Sequence, residues 1–194
     1  MASTPNLRDR TRRAVRSEIA ATAMRLFAEQ GFDATTVDQI AAAAGISRRS
    51  FFHYFGTKED LVIGDTADLG ESIRAELESR PAEESAWTAL RAALITLQER
   101  GTPAENLAHA RLCHEAPSLR ARKLEKYLHW QELLAPEVQR RLGLPESERP
   151  DPRARAFVAA ALSCLDVAVD AWREAGGESD PVRLFDEAIA ALRT

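Results

Sequence analysis

Two adjacent arginines, Arg48 and Arg49, follow Ser47 and precede the aromatic run Phe51, Phe52, His53, Tyr54, Phe55. A guanidinium can donate two parallel hydrogen bonds to O6 and N7 of guanine. Arginines in the first turn of a helix laid in a major groove sit where base edges are reached. At about 100° per residue, Phe51 and Phe55 share one side of such a helix and pack, while Arg48, Arg49, Phe52 and His53 spread over the other side and face outward. Positive charge at a helix N-terminus is opposed by the helix dipole, which argues for a ligand at that end. Lys58, just past the helix, is placed to touch a phosphate. The plainer alternative is a solvated surface turn with ordinary charges.

The residues upstream supply what is needed to position this helix. Thr36 is an N-cap with Gln39 three residues on, the signature of a capping box, and Val37, Ile40, Ala41 and Ala44 then fall on one helical face. Gly45 stands where the chain must leave that helix with a positive φ. Ile46 plugs the turn, and Ser47 caps the second helix. Helix, glycine turn, helix is the plan of a DNA-reading helix-turn-helix.

The run from Arg25 to Leu61, containing LFAEQGFDATTV, IAAAAGIS and FFHYFGTKEDL, resembles the DNA-binding domain of the TetR family of transcriptional regulators. The resemblance implies an all-α chain of about nine helices: a three-helix DNA-binding head followed by a larger helical domain for effector binding and dimerisation. It also implies a homodimer on double-stranded operator DNA. Carried over by position, Thr36 and Lys58 meet phosphates, Arg48, Arg49, Ser50 and His53 face bases or backbone, and Tyr54 touches the backbone. Phe52 departs from the family, which commonly has Tyr there. The missing hydroxyl leaves an apolar contact, for example with a thymine methyl, as its expected role.

Composition bounds the rest. At 194 residues and 45% apolar, the chain can bury a substantial core. Cys113 and Cys164 lack metal-like spacing, so a reducing compartment is the simpler expectation, with a disulfide left open. Ser163 and Asp166 interrupt the best apolar run short of the ~20 residues a membrane span needs, and a cytoplasmic protein with no membrane partner is expected. The net charge of −4 divides unevenly: residues 1–63 hold nine Lys/Arg against seven Asp/Glu, and the acidic excess lies beyond them. Arg8, Arg10, Arg12, Arg13 and Arg16 form a basic arm, which either follows the DNA backbone or minor groove or is a solubilising tail. His109 and His114 are five apart and diverge around a helix, and no nucleophile elbow or phosphate-cradling loop is present. No enzyme, metal or cofactor is therefore expected.

In chain order, the periodicity predicts helices at about 10–30, 58–79 and 83–100, then 103–115, 118–142, 152–175 and 181–193. Thr102-Pro103, Asp151-Pro152 and Asp180-Pro181 each combine a capping side chain with proline at the first helical position. Pro136 should kink its helix. The expected division is an arm and reading head over 1–57 and a helical effector and dimerisation domain over 58–194, the resemblance making the helix from 58 the lever between them. Phe157, Ala161, Leu165, Ala168 and Trp172 form one apolar stripe, and Val182, Phe185 and Ile189 another. Both are read as the dimer interface, the alternative being that they close the chain's own core. His109, Cys113, His114, Tyr127, Trp130 and Gln131, scattered among apolar residues, are read as orienting groups of a pocket for a small hydrophobic or amphipathic effector of unknown identity. The competing class is a helical small-molecule carrier or sensor that binds no DNA. A repressor released by its effector is the expected function.

Overall fold

The computed structural model describes residues 7–64, 66–97 and 101–192. Every element among them is helical, and the chain divides into two compact units, residues 1–64 and 65–194.

In the first unit, α1 (Leu7–Gln30) turns its Ile19, Ala23 and Phe27 inward, leaving Arg10, Arg12, Arg13 and Arg25 exposed. Gly31 ends it at φ 84°, and the Thr35 hydroxyl reaches back to the Gly31 carbonyl at 2.7 Å. Next come α2 (Val37–Ala43), α3 (Arg48–Tyr54) and the single turn α4 (Asp60–Ile63). Ile40, Ala41, Phe51, Phe55, Leu61, Val62 and Ile63 bury their side chains in the same small core. Residues 1–6, and the side chains of residues 7–9, lie outside what is described, and the reading of the basic arm, including Arg8, falls there in part. From Arg10 to Arg16 the basic residues belong to α1, and Arg16 lies over the Phe55 ring at 4.8 Å.

The helix expected over 58–79 is two helices, and the nine-helix plan otherwise holds. Its first turn is α4, which ends at Gly64 with φ 79°, a left-handed conformation that only glycine takes cheaply. Leu61, Val62 and Ile63 pack against α1, and the helix proper, α5 (Thr66–Ser79), opens the second unit.

The second unit continues with α6 (Ala86–Ile95), α7 (Pro103–Glu115), α8 (Pro117–Arg141), α9 (Pro152–Glu174) and α10 (Pro181–Ala191). Each Pro-first device works as the sequence suggests: Thr102, Asp151 and Asp180 accept from the backbone of Glu105, Arg153 and Val182. Helix α8 runs through Pro136 without a break. Ion pairs Lys123–Asp166 (2.6 Å) and Arg155–Glu132 (2.8 Å) lace α8 antiparallel to α9. Trp130 is fully buried, and its indole N–H donates to the Thr66 carbonyl at 2.9 Å. Gly70 makes that approach possible, because a Cβ there would stand 2.8 Å from the indole ring. Arg141 has a fully buried side chain. It donates to the carbonyls of Leu77, Arg80 and Pro81 at 2.9–3.0 Å, so the carbonyls left open where α5 ends are satisfied by a guanidinium. Gln139 similarly pins the 144–150 linker, donating to the Pro145 carbonyl and accepting from the Asp151 amide.

Candidate functional site

The reading head is assembled by its caps. Thr36 and Gln39 make both halves of the capping box, the Thr36 amide donating to Gln39 Oε1 at 2.8 Å and the Gln39 amide to Thr36 Oγ1 at 3.2 Å. At the other end of α2, the Ile46 amide donates to Ala41 and the Gly45 amide to Ala42, with Gly45 at φ 67°. That pair of bonds is the Schellman termination, and it fixes the angle at which the chain enters α3. Ser47 then accepts from the Ser50 amide at 3.0 Å.

On α3, Phe51 is fully buried while Phe52 is 46% exposed, so the two faces divide as the spacing suggests. Arg49, Ser50, Phe52, His53 and Tyr54, with Val15 and Ile46, line an open groove of about 570 Å³. Arg48 and Thr36 are exposed beside it. Arg48 does not stand alone: Nη1 donates to Asp38 Oδ2 at 2.8 Å, and its guanidinium lies 5.7 Å from the Phe52 ring centre. Asp38, in the first turn of α2, was not singled out by the sequence. Its signal was present, since an acid one turn into α2 is ten residues from the first arginine of α3.

Lys58 is placed differently from the phosphate position the spacing suggested. Its ammonium turns into the head, donating to the carbonyls of Phe32 (2.8 Å) and Thr35 (3.0 Å) above the Phe32 ring at 4.1 Å. Two of its three protons therefore brace the loop between α1 and α2.

In the second unit, the residues read as effector-orienting groups separate. His109 and Cys113 (Nε2 to Sγ, 3.5 Å) come from α7 to meet Tyr127 of α8 and, from α9, Asp166 and Asp170. Burial and then the nearby Lys126 and Lys123 hold His109 down to about 4, and burial pushes both the Cys113 thiol and the Tyr127 hydroxyl up. Lys123 and Lys126 of α8 complete this cluster. Trp130 is the cluster's floor, fully sealed in the core. His114 is exposed, 3.9 Å from Asp170, and Gln131 is half-buried on another side of α8.

The stripes read as a dimer interface are instead spent within one subunit. Ala161, Leu165, Ala168, Trp172, Phe185 and Ile189 are all at most 5% exposed, and only Phe157 and Val182 are half-buried. The reason is that α10 packs on α9 and α9 on α8, and this closes the subunit's own core. Phe157 lies edge-on to Trp87 (4.9 Å), at one wall of an apolar groove of about 360 Å³ with Leu142 and Leu192.

Two capped helices joined through a left-handed glycine, the second carrying an outward basic and aromatic face, define a helix-turn-helix DNA-binding protein. Residues 19–63 match the family model described as bacterial regulatory proteins, tetR family, and residues 84–194 match that of the MftR C-terminal domain. The chain is 30% identical over 205 residues to the transcriptional regulator TcmR of Streptomyces glaucescens, covering 98% of this chain and 89% of that one. It is 32% identical over 152 residues, 76% of each chain, to the putative mycofactocin biosynthesis regulator MftR of Mycobacterium tuberculosis. Its fold resembles that of Thermus thermophilus FadR, a TetR-family repressor solved with lauroyl-CoA, at a TM-score of 0.57 and 23% identity over 91% of this chain and 92% of that one. The chain belongs to the TetR family of transcriptional regulators.

Proposed function

We propose that the chain is a repressor that binds a palindromic operator as a homodimer and is released by a small hydrophobic or amphipathic effector. The observation that carries this reading is the outward face of α3, where Arg48, Arg49, Ser50, Phe52, His53 and Tyr54 stand on a helix whose start is fixed by the Ser47 side-chain cap and by the Schellman termination of α2 before it. A base-reading helix needs that rigidity, because a displacement of about an ångström forfeits bidentate geometry. Thr36 flanks the groove as a phosphate contact. Lys58 contributes through the loop it braces, with one proton left for a phosphate. The acidic charge beyond the head confines phosphate attraction to this face and makes binding local and salt-sensitive.

One recognition helix per chain needs a twofold mate to read two half-sites. Since the inner stripes of α9 and α10 are already occupied, the mate meets the outer face of α9, where Val167 is 62% exposed. The effector binds in the second unit. That a fold neighbour is solved with the amphipathic lauroyl-CoA supports an amphipathic class. Tight binding alone changes nothing: the effector acts by favouring the dimer conformation whose two heads misfit the operator. The protein catalyses no reaction and works in the cytoplasm, where its DNA is. No observation favours a carrier that ignores DNA. Among the described residues no helix is long and apolar enough to cross a membrane.

The test compares duplex binding of the unaltered chain with that of an Arg48→Ala, Arg49→Ala double variant, by fluorescence anisotropy between 50 and 200 mM salt. Loss of sequence preference in the variant at unchanged thermal stability is the expected result. An unaltered chain that binds no duplex even at the lower salt would remove the reading.

A further inference from the structure

In α8, Leu119, Lys123, Lys126 and Trp130 recur at spacings of four, three and four, so Lys126 lies on the face that the helix turns to the core. The structure agrees: its ammonium sits 4.8 Å from the centre of the buried Trp130 ring and 5.3 Å from that of Tyr127. An inward ammonium ordinarily finds a carboxylate. Here the nearby one is taken. Asp166 receives Lys123 Nζ at 2.6 Å and lies beside the Tyr127 side chain, while Asp170 is engaged by Arg173 at 3.5 Å. Among the described residues no carboxylate or carbonyl oxygen accepts a hydrogen bond from Lys126.

We propose that Lys126 is the receptor for a carboxylate head group of the effector, whose apolar body lies against the Tyr127 side of α8. The proposal rests on the reading that the second unit binds an effector, and it specifies that effector's charge. The charge count selects a monoanion. With Lys123 already paired and His109 neutral at physiological pH, one uncompensated positive charge remains, which suits a carboxylate better than a phosphate dianion. The two ring faces hold the ammonium by cation–π attraction until the anion arrives, so no carboxylate of the protein need be displaced.

The groups facing Lys126 are His109 and Cys113 from α7, Lys123 from α8, and Asp166 from α9. Burial draws the Lys126 ammonium down to about 8, assisted by Lys123 and opposed by Cys113 and Asp166. A bound carboxylate favours the protonated amine, so binding takes up a proton wherever the free amine has lost one. Affinity for a carboxylate therefore stays level below about pH 8 and falls above it, while His109, already neutral, does not titrate in that window.

The test uses the full chain and two matched pairs of probes, decanoate against decanamide and 2-naphthoate against 2-naphthamide, titrated calorimetrically at pH 7. The acid of at least one pair should bind about tenfold or more tightly than its amide, and Lys126→Met should erase that preference while Lys126→Arg keeps it. The pH series needs no variant: between pH 7.5 and 9.5 the affinity for the acid should fall roughly tenfold and that for the amide should not move. Equal affinity of acid and amide, a preference that survives Lys126→Met, or no binding of any probe at millimolar concentration would overturn the assignment. Whether a bound probe releases duplex DNA is read separately. Acid-selective binding without release would support this site and remove its regulatory role.

Discussion

Replacing Lys58 by Met separates two roles that sequence position alone does not distinguish. The ammonium donates to the Phe32 and Thr35 carbonyls at 2.8 and 3.0 Å and lies 4.1 Å above the Phe32 ring. Hydrogen bonds from a charged donor each contribute about 1.5–3 kcal/mol, and the ring contact about 0.5–1 kcal/mol at a partly exposed site. Lys58 is half-buried and water can replace part of what it supplies, so the net loss on Lys58→Met should be about 1–3 kcal/mol. Met keeps most of the aliphatic stem over Phe32, so the change reports the charge and its bonds more than lost packing. Urea denaturation followed by far-ultraviolet circular dichroism measures the stability, and duplex binding across a salt series measures the phosphate count. A brace predicts a clear drop in stability, with weaker DNA binding as its consequence. Unchanged stability together with a salt slope shallower by about 0.9 would show a phosphate contact and refute the bracing argument.

Arg48→Ala should cost about 1–3 kcal/mol at one operator base pair, measured as the gap between matched and substituted duplexes. Its effect on folding should stay below about 1 kcal/mol, because the ion pair it loses with Asp38 has both side chains more than 60% exposed. Asp38→Asn should narrow the same gap by loosening the arginine. Equal losses on all duplexes would contradict a base-reading role for Arg48. Gly70→Ala should destabilise the second unit by about 1–3 kcal/mol, since the new methyl would meet the Trp130 ring at 2.8 Å, and denaturation without loss of stability would refute that packing. Phe185→Asp should unfold the subunit, with loss of helical circular dichroism, because Phe185 is 1% exposed within its own core. Val167→Asp, at an exposed position of α9, should instead yield folded monomers by sedimentation; folded dimers would move the interface elsewhere.

What the sequence made legible was local. The Thr36 box, the Gly45 turn, the Ser47 cap and the three Pro-first helices depend on residues within a few positions of one another, and each is present as read. The orientation of α3 followed because Phe51 and Phe55 are one turn apart. Lys58 was not legible, since its acceptors lie 23 and 26 residues away and depend on how α1 and α2 meet. Periodicity showed that α9 and α10 each bury a stripe, but it does not say against which molecule, and α8 proved to be part of the answer. The break at Gly64 was written in the chain, yet the apolar run Leu61 to Ile63 looked like the continuation of a helix when its burial belongs to the head. Lys126 was readable from its spacing to Leu119 and Trp130. A lysine on a charged helix was passed over because solvated lysines are the common case.

The central claim is that two copies of α3, related by a twofold axis, read DNA together. The most direct measurement is selection of bound duplexes from a random pool by the purified full chain at physiological salt, followed by sequencing. Enrichment of an inverted repeat whose half-sites are about one helical turn, or a multiple of it, apart is the expected result. No enrichment, or enrichment of a single unrepeated site, would contradict it.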